Sequence, residues 1–293
     1  MKDTTFHEWG SLLNSTETIA RIGRAEREST LSLHRAAAAT ASAGCLDIEG
    51  VNIAWSRCDG DPGYASVENL EDVPDPLALL PQIEDTFCAR GGPVLGIRVA
   101  PTVDPRLAAD QLLQRGYQLD YEESVWARPL DADSLDFVPT ADPRLEIVET
   151  NDGETFASIF NRGRNLRPDA MPGRIVASAI GSPGWRHYLA SFDDEAGAVA
   201  ALFIEDSVAQ FFVATTTPEH HGNGAQDALI RRRLVDALEA GCDLASSQTV
   251  NGGAESRYLC QHGFRTLYRR SIFGKRLRPV SASPQARSSR TSR

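Results

Sequence analysis

The sequence lacks most features that mark membrane, exported or metal-binding proteins. It contains no run of about 18 apolar residues, so we expect no helix that spans a membrane. The N-terminal segment MKDTTFHEWG has no apolar signal core, which favours a cytoplasmic protein. The five cysteines are odd in number and scattered, without CxxC or Cys/His spacing, which predicts reduced thiols and no metal site.

Basic residues are also scarce, and lysine is nearly absent. The formal net charge is −10, and Lys2 and Lys275 are the only lysines. An acidic chain is poorly suited to nucleic acid or to an anionic membrane surface, so we expect neither as a partner. The charge leaves room for a cationic small molecule such as an amine. We expect the protein to be a monomer or a homodimer.

Two segments in the two halves of the chain resemble each other. LLQRGYQLDYEESVWARPL (112–130) and LCQHGFRTLYRRSIFGKRL (259–277) align without a gap. Each reads as the end of a helix, a glycine stop and a strand rich in aromatic and β-branched residues. The identical pairs are Leu112/Leu259, Gln114/Gln261, Gly116/Gly263, Tyr121/Tyr268, Ser124/Ser271 and Leu130/Leu277. This shared pattern predicts a duplicated unit.

Composition places the boundaries of the two copies. The Asp- and Pro-rich segment PLDADSLDFVPTADPR has no periodicity and is typical of a linker. The C-terminal segment RPVSASPQARSSRTSR is too polar to pack. We therefore predict a first domain at 1–130, a linker at 131–143, a second domain at 144–275 and a disordered tail at 276–293.

The second half predicts one mixed sheet. Its order is strand, two helices, three successive strands, a glycine-containing loop, helix, strand, helix and strand. The acidic pairs Asp193-Asp194 and Glu205-Asp206 mark the corners between the three strands, and 231–233, three arginines, are expected to face outward. His187 is expected to be structural. We predict a fold of the α/β class, built on a mixed α+β sheet that contains both parallel and antiparallel strand pairs.

The first half is less regular. A capping-box-like start at 14–17 predicts a long helix through the alanine-rich segment 36–43. A strand region at 45–58, a helix at 76–92 and a strand at 94–100 follow. This order matches the later part of the second half. The first half shows no clear three-strand meander, and ENLEDVPDPLALL stands where the second half has its glycine loop.

The loop HHGNGAQDAL (220–229) connects the third strand to a helix, and three phosphate motifs can be compared with it. A P-loop needs a lysine that this loop lacks. A Rossmann fingerprint needs a third glycine where the loop has Asp227. The loop and its surroundings instead resemble the GNAT superfamily of acyl-CoA-dependent N-acyltransferases. The matching residues are Pro218, Glu219, Gly222, Gly224, Ala228, Leu229, Gly263 and Phe264.

The resemblance implies two tandem GNAT-like domains, each a mostly antiparallel mixed sheet flanked by helices, with a degenerate N-terminal copy. It implies that acetyl-CoA, or another acyl-CoA, binds the second domain as co-substrate. A helix N-terminus with glycines before it suits a pyrophosphate, because free N–H groups and the helix dipole attract anions. The implied cofactor-binding residues are Ala214, Thr215, Thr216, His221, Gly222, Asn223, Gly224, Ala225, Gln226 and Asn251. The loop remains open to a second interpretation, a turn kept for packing.

Two departures from the family pattern concern this loop. His221 stands where the family has arginine, and Gln226 stands where it has glycine or alanine. A histidine is mostly neutral near pH 7, so it is a weaker partner for a phosphate. Asp227 suits the dipole of the first turn but competes with a bound anion.

The resemblance also implies a tyrosine acid for the departing thiolate and a base for the amine. Counted from Asn251, the acid is Tyr258; counted back from Gly263, the position falls on Leu259. A tyrosine that only packs is the alternative. Glu205 is the predicted base, with a surface hairpin acid as the other interpretation, and Glu219 and His220 are further candidates.

We predict an N-acyltransferase that moves an acetyl or other acyl group to a small-molecule amine by direct attack in a ternary complex. The acceptor is expected in the cleft between the domains. The alternative is a non-catalytic GNAT-like protein for ligand sensing or assembly, favoured by His221 and Gln226. A nucleotide-binding protein is a third interpretation.

Overall fold

The computed structural model describes residues 15–57, 63–68, 70, 75, 77–99, 105–131, 144–253 and 255–278. In the first half the elements are α1 (Thr16–Ala37), β1 (Ser42–Ile48), β2 (Val51–Arg57), β3 (Tyr64–Val67), α2 (Leu80–Ala89), β4 (Val94–Val99), α3 (Pro105–Gln114) and β5 (Gln118–Pro129). In the second half they are β6 (Leu145–Glu149), α4 (Gly153–Gly163), α5 (Met171–Ala177), β7 (Trp185–Phe192), β8 (Glu195–Glu205), β9 (Val208–Thr216), α6 (Ala225–Glu239), β10 (Leu244–Val250), α7 (Glu255–Gln261) and β11 (Arg265–Arg276).

All eleven described strands belong to one sheet, in the order β1-β2-β3-β4-β11-β5-β10-β9-β8-β7-β6. The pairs β3–β4 and β9–β10 are parallel, and the other pairs are antiparallel. The predicted mixed α/β sheet is therefore confirmed. The sheet also contains an exchange: β11 of the second half pairs with β4, and β5 of the first half pairs with β10. The two halves consequently share one continuous sheet through their last strands.

The two repeated segments are structurally equivalent. Leu112 and Leu259 are both buried, at the ends of α3 and α7. Gly116 and Gly263 follow with φ values of 83° and 77°, which favour glycine. The next residue in each copy, Tyr117 or Phe264, donates its N–H to the carbonyl of the corresponding leucine, at 3.1 and 3.0 Å. Both copies thus end a helix with the same left-handed stop before their strand.

Several expectations about the first half and the boundaries need correction. The first half does contain a three-strand antiparallel meander, β1-β2-β3, whose last strand has only four residues. Helix α1 begins after its Ser15 cap as predicted but ends at Ala37, because Ala43 pairs with Ser56 in the sheet. β11 includes Arg276 and Leu277 is buried, so ordered chain extends past 275. Most of the predicted linker and tail, 132–143 and 279–293, lies outside the described residues.

Helix α1 crosses from the first half onto the second. Its Ile22 and Ala25 are buried against Val125 of β5 and Val208 of β9. At 22 residues α1 is the longest described helix, yet it is too polar to cross a membrane, and no other described helix is both long and apolar enough. The helix therefore covers the middle of the sheet, where the two halves meet.

His187 on β7 is buried, as a structural residue should be. Its ring stacks on Trp185 and meets the edge of Phe156 in α4, and its Nε2 donates to the carbonyl of Val176, at 3.2 Å. Burial lowers the pKa of His187 to about 4, because the protein interior disfavours the charged ring.

Stability is expected to fall as the pH drops below the ordinary pKa of His187, 6.5. Between this value and about 4 the unfolded chain binds more protons than the folded chain, so acid favours unfolding. For this one group the loss from pH 7.5 to 4.5 is about 2.5 kcal/mol. Urea unfolding of the wild type and of His187→Gln at both pH values measures it. An equal pH dependence in the two proteins would refute the assignment.

Candidate functional site

The parallel strands β9 and β10 separate partway along their length. They pair from Val208 with Leu244 to Phe211 with Ser247, and no pairing continues beyond that point in the described sheet. β9 nevertheless runs on to Thr216 and β10 to Val250. The backbone of 212–216 therefore borders an open, V-shaped cleft between the two strands. A cleft of this kind exposes unpaired backbone donors and acceptors to a ligand.

A β-bulge on β9 marks the start of this cleft. Phe211 pairs with Leu202 and Val213 pairs with Ala201, which leaves Phe212 as the extra residue. The carbonyls of Ala201 and Val213 each accept from Arg233 of α6, at 3.4 Å. The bulge lies at the end of the parallel pairing, so it turns β9 away from β10.

Arg233 was expected to face outward, and this expectation was wrong. The side chain is buried, and its guanidinium lies 4.3 Å from the ring centroid of Phe211. Burial lowers the pKa of Arg233 to about 9, since no carboxylate is among the causes that offset it. The missed signal is that helix position 233 follows Leu229 by one turn, on the buried face.

The glycine loop leads directly into α6 at the mouth of the cleft. Gly222 and Gly224 have φ values of 83° and 79°, and Gly224 is the N-cap of the helix. The first described backbone hydrogen bond of the helix is donated by Ala228 to Gly224. The N–H groups of 225–227 consequently have no backbone partner in the described chain. Together with the dipole they can receive an anion.

The two atypical loop residues both contact Thr216, the last residue of β9. The Nε2 of His221 donates to the Thr216 carbonyl at 3.0 Å, and the Nε2 of Gln226 donates to the Thr216 hydroxyl at 2.8 Å. A carbonyl can only accept, so His221 carries its proton on Nε2. These bonds connect the loop to the open end of β9.

Asp227 is held by partners other than the loop. Its carboxylate accepts from Nε2 of His262, which follows α7, and forms an ion pair with Arg231 one helical turn along α6. Burial lowers the pKa of His262, and the hydrogen bond that its ring donates to Asp227 opposes that effect. Because two side chains engage this carboxylate, its competition with an anion at the helix N-terminus is reduced.

The predicted base Glu205 lies away from the cleft, and we correct its assignment. It pairs with Val208 at the β8–β9 hairpin, and strand geometry puts this position about 13 Å along β9 from Phe212. The hairpin turn itself consists of Asp206 and Ser207, both with positive φ. Burial and the nearby Asp206 raise the pKa of Glu205. The hairpin interpretation of this acid is the one that the geometry favours.

The other candidate bases also have local roles. Glu219 is exposed and pairs with Arg162 at 3.2 Å. His220 is buried, stacked on Phe192, and its Nδ1 lies 3.0 Å from the Thr217 hydroxyl. Each of these two side chains therefore already has a local partner.

Tyr258 and Asn251 follow the cleft strand β10. Leu259 is 5% exposed within the core, so it cannot present a group to a ligand. Tyr258, one residue earlier in the short helix α7, is half-buried, and the guanidinium of Arg257 lies 5.4 Å from its ring. Asn251 lies at the end of β10 and donates its backbone N–H to the Glu122 carbonyl, at 2.8 Å.

A cavity of ≈ 620 Å³ lies between α1 and the sheet, next to the start of the cleft. Gln210 and Phe212 of β9 and Gln248 of β10 line it. Sequence reasoning missed these three residues because no motif contains them. The cavity supplies space for a second ligand beside the cleft. No group of three or more metal-ligating side chains occurs in the described part of the chain.

The described strands of the first half form no equivalent cleft. Its parallel pair β3–β4 is joined along all four residues of β3, from Tyr64 with Val94 to Val67 with Ile97. The ring of Tyr64 lies over Gly96 of β4, where an added Cβ would clash with it. The segment that replaces the glycine loop, 68–80, lies only partly within the described residues.

The architecture is that of a duplicated mixed α/β unit, and among the described residues the splayed parallel pair and the glycine-capped helix both lie in the second copy. No family model and no curated protein sequence matches the chain. Solved structures do: a GCN5-related N-acetyltransferase from Kribbella flavida matches with a TM-score of 0.61 and 18% identity, over 87% of this chain and 95% of its own.

Two further structures agree. A tandem GNAT protein from the clavulanic acid biosynthesis pathway gives a TM-score of 0.57 at 17% identity, over 92% of this chain and 97% of its own. A GCN5-related N-acetyltransferase from Sphaerobacter thermophilus gives 0.57 at 15% identity, over 78% and 77%. The chain therefore has the GNAT fold in tandem, and the predicted fold is confirmed.

Proposed function

We propose that the second half transfers an acyl group, acetyl in the simplest case, from acyl-CoA to a small-molecule amine. The single observation that carries this proposal is the cleft between β9 and β10, with the glycine-capped N-terminus of α6 at one end and the cavity at the other. The N–H groups of 225–227 would receive the pyrophosphate. The backbone of Ala214 and Thr215 would bond the pantetheine arm, which would place the thioester near the bulge at Phe212.

The chemistry then needs positioning and one proton donor. The neutral amine enters through the cavity and attacks the thioester carbonyl, so a C–N bond forms and the C–S bond breaks. Tyr258 gives its proton to the departing thiolate, and the proton released by the nitrogen returns to the phenolate through water. The buried cavity wall orients the amine. In this proposal the first half contributes α1 and part of the cavity, and no CoA site.

Acetyl-CoA is expected to bind, and Gly224→Val is expected to weaken binding at least tenfold. At a φ of 79° a valine strains the backbone by about 1–3 kcal/mol and adds bulk beside the helix N-terminus. Gly241→Val is the matched control, since Gly241 has a φ of 80°, lies just after the other end of α6 and has the same open space. Calorimetry with acetyl-CoA and urea unfolding compare the three proteins.

The two variants should lose similar stability but differ in affinity. Equal loss of affinity in both would attribute the effect to unfolding and contradict a CoA site at the loop. Failure of the wild type to bind millimolar acetyl-CoA would overturn the proposed function, and tight binding of ATP or NAD instead would favour a nucleotide-binding protein.

The bonds from His221 and Gln226 to Thr216 favour a second candidate, a non-catalytic protein for ligand sensing or assembly. They occupy the carbonyl and the hydroxyl of Thr216, the residue next to the backbone that the pantetheine arm would bond. This candidate predicts no turnover of acetyl-CoA with any member of an amine panel, even where a ligand binds the cavity. Transfer to one amine, detected as free thiol and acylated product, decides against it.

A further inference from the structure

The cavity between α1 and the sheet is basic, although the chain as a whole is acidic. Four arginines line it against three glutamates, and these arginines are Arg24, Arg27, Arg98 and Arg270. The formal net charge of the whole chain, by contrast, is −10. An excess of positive side chains around a cavity repels a positively charged ligand. The cavity therefore favours an acceptor amine that arrives without charge.

The three glutamates of the cavity are already engaged by arginine. Arg270 donates to the two carboxylate oxygens of Glu26, at 2.8 and 2.9 Å, and to Glu123 at 2.7 Å. Glu68 pairs with Arg98, and the side chain of Glu68 is 2% exposed. The other ionisable side chains of the described lining are arginines and one tyrosine, types that hold their protons near pH 7. The described lining consequently offers an ammonium ion neither an unpaired carboxylate nor an imidazole as a base.

The ion pair between Arg270 and Glu26 also limits the size of the acceptor. This pair joins the sheet to α1, so a ligand at the cleft has only the cleft side of the cavity. Arg270 on β11 and Gln248 on β10 are two strands apart, which corresponds to about 10 Å. The whole cavity measures ≈ 620 Å³, and about 150 Å³ is enough for a benzene ring. A single ring therefore fits on the cleft side of the ion pair.

Four residues form a row across the sheet at the level where the cleft opens. Phe212 of β9 and Gln248 of β10 directly follow the last paired residues of these two strands, so they are the first residues on either side of the opening. Val125 of β5 pairs with Gln248 on one side and with Tyr268 of β11 on the other. The order across the row is thus Phe212, Gln248, Val125 and Tyr268. Gln248 is the polar residue nearest to the proposed position of the thioester.

Gln248 and the buried Gln210 form a pair of hydrogen-bonded amides beside this opening. Nε2 of Gln210 donates to Oε1 of Gln248 at 2.5 Å, and the Ser246 hydroxyl donates to Oε1 of Gln210. These two bonds fix the orientation of the Gln248 carbonyl. A carbonyl oxygen has two lone pairs, and the described bond uses one of them. The half-buried Gln248 can therefore accept an N–H from a ligand, but its amide cannot take the proton.

The apolar part of the lining suits a flat ring. Phe212 and Tyr268 are half-buried, and Ile19 and Ala20 of α1 line the same cavity. Aromatic rings attract one another in edge-to-face and offset arrangements, beyond the effect of the area that they bury. An amino group attached to an aromatic ring is also neutral near pH 7, because the ring delocalises its lone pair. One chemical class thus meets the charge, the size and the shape of this part of the cavity.

Resting on the proposed acyl transfer, we propose that the acceptor is an aromatic amine and that Gln248 determines this specificity. The amino group donates one N–H to Oε1 of Gln248, and its lone pair attacks the thioester carbonyl beside Phe212. The C–N bond forms and the C–S bond breaks. Tyr258 protonates the thiolate, and the proton that the nitrogen then loses returns through water to Tyr258. No base of the cavity has to deprotonate the amine before the attack.

The first test compares aniline with cyclohexylamine, a ring of similar size whose amine is mostly charged at pH 7. The full chain is assayed with saturating acetyl-CoA, and the acetylated product is measured. Because only the neutral amine reacts, we expect kcat/KM at pH 7 to be about tenfold or more higher for aniline. Between pH 6.5 and 8.5 it should stay constant for aniline and rise about tenfold per pH unit for cyclohexylamine.

Two results of this comparison would overturn the proposal. One is an equal kcat/KM for the two amines at pH 7. The other is a cyclohexylamine profile that levels off below pH 8.5, because a base of the protein would then deprotonate the ammonium.

Gln248→Glu is expected to change the preference between the two amines. A carboxylate at this position can take a proton, so kcat/KM for cyclohexylamine at pH 7 should rise about tenfold or more, and the rate with aniline should not rise. Gln82→Glu makes the same change at an exposed position of α2 and should leave both rates unchanged. An unaltered preference in folded Gln248→Glu would contradict the role of Gln248. The wild-type pH profile tests the acceptor class even where this variant does not fold.

Calorimetry with acetyl-CoA separates this proposal from acyl transfer itself. Binding of acetyl-CoA with transfer to cyclohexylamine alone, or to neither amine, would overturn the aromatic acceptor and leave the cofactor site intact. Absence of acetyl-CoA binding, together with no transfer to either amine, would overturn the proposed function and this inference with it.

Discussion

Replacing Arg270 by methionine is expected to lower the free energy of unfolding by about 3–5 kcal/mol, the usual cost of breaking a buried ion pair. The guanidinium is 8% exposed and lies between Glu26 and Glu123, which are 12% and 13% exposed. Its removal leaves two buried carboxylates close together with no opposing charge from this residue. Those carboxylates come from α1 and β5, so the variant weakens the contact between the helix and the exchanged strands.

The pH dependence of this variant has a definite sign. In Arg270→Met the neighbouring buried carboxylates of Glu26 and Glu123 repel each other when both are charged, and protonation relieves this repulsion. Stability is then lost as the pH rises through the ordinary carboxylate range, and the defect should shrink towards pH 4.5. Urea unfolding at pH 4.5 and 7.5 measures this change against the wild type.

Arg269→Met is the matched control. Arg269 is the neighbouring residue of β11, on the opposite face and exposed. Surface substitutions of this kind usually change stability by about 0.5 kcal/mol or less. A similar loss in both variants would show that the strand tolerates no change, and a loss under 1 kcal/mol in Arg270→Met would contradict the structural role of the ion-pair cluster.

The second half could be predicted from sequence because its signals are local. Turn chemistry at Asp193-Asp194, the glycine before α6 and the left-handed stop at Gly263 each mark an element boundary within a few residues. The first half was harder because β3 has four residues and the segments around it lie partly outside the described chain. Short strands give too few alternating positions for a periodicity argument.

The exchange of β5 and β11 could not be predicted. The two strands belong to the repeated segments, which share their apolar pattern, so either could pair with β4 or with β10 by hydrophobicity alone. The pairing is decided by distant contacts such as the ion pairs of Arg270 with Glu26 and Glu123. A contact between residues 244 positions apart leaves no trace in local periodicity.

The candidate site also has a part that could be predicted from the sequence and a part that could not. The loop around Gly222 and Gly224 could be found because a phosphate-type loop concentrates its residues in one short segment. The cavity under α1 draws one or two residues from each of five strands, with further residues from the helix, and each residue looks ordinary in its own segment. Glu205 was chosen for its position at a strand end, but antiparallel pairing puts that end opposite Val208, away from the loop.

Replacing Tyr258 by phenylalanine is expected to lower the kcat of the proposed acyl transfer about 100-fold or more. The reason is that a positioned proton donor contributes about 10²–10⁴-fold to the rate. Counting along the sequence placed this position on Tyr258 from one anchor and on Leu259 from the other. Its burial in the core removes that choice, since only the neighbouring Tyr258 carries a hydroxyl and remains half-buried. The hydroxyl makes no described hydrogen bond within the protein, so its loss should leave folding stability unchanged.

The assay measures the release of free thiol from acetyl-CoA. The acceptor is the amine that gives the highest rate in a panel of amines. Acetyl-CoA affinity should stay within twofold of the wild type, because the phenol acts on the thiolate that exists only as the C–S bond breaks. Tyr64→Phe is the matched control: Tyr64 lies over β4 in the first half, where the parallel strands do not separate, and its variant should retain full kcat. An unchanged kcat in Tyr258→Phe would make Tyr258 a packing residue and would require another proton donor near the cleft.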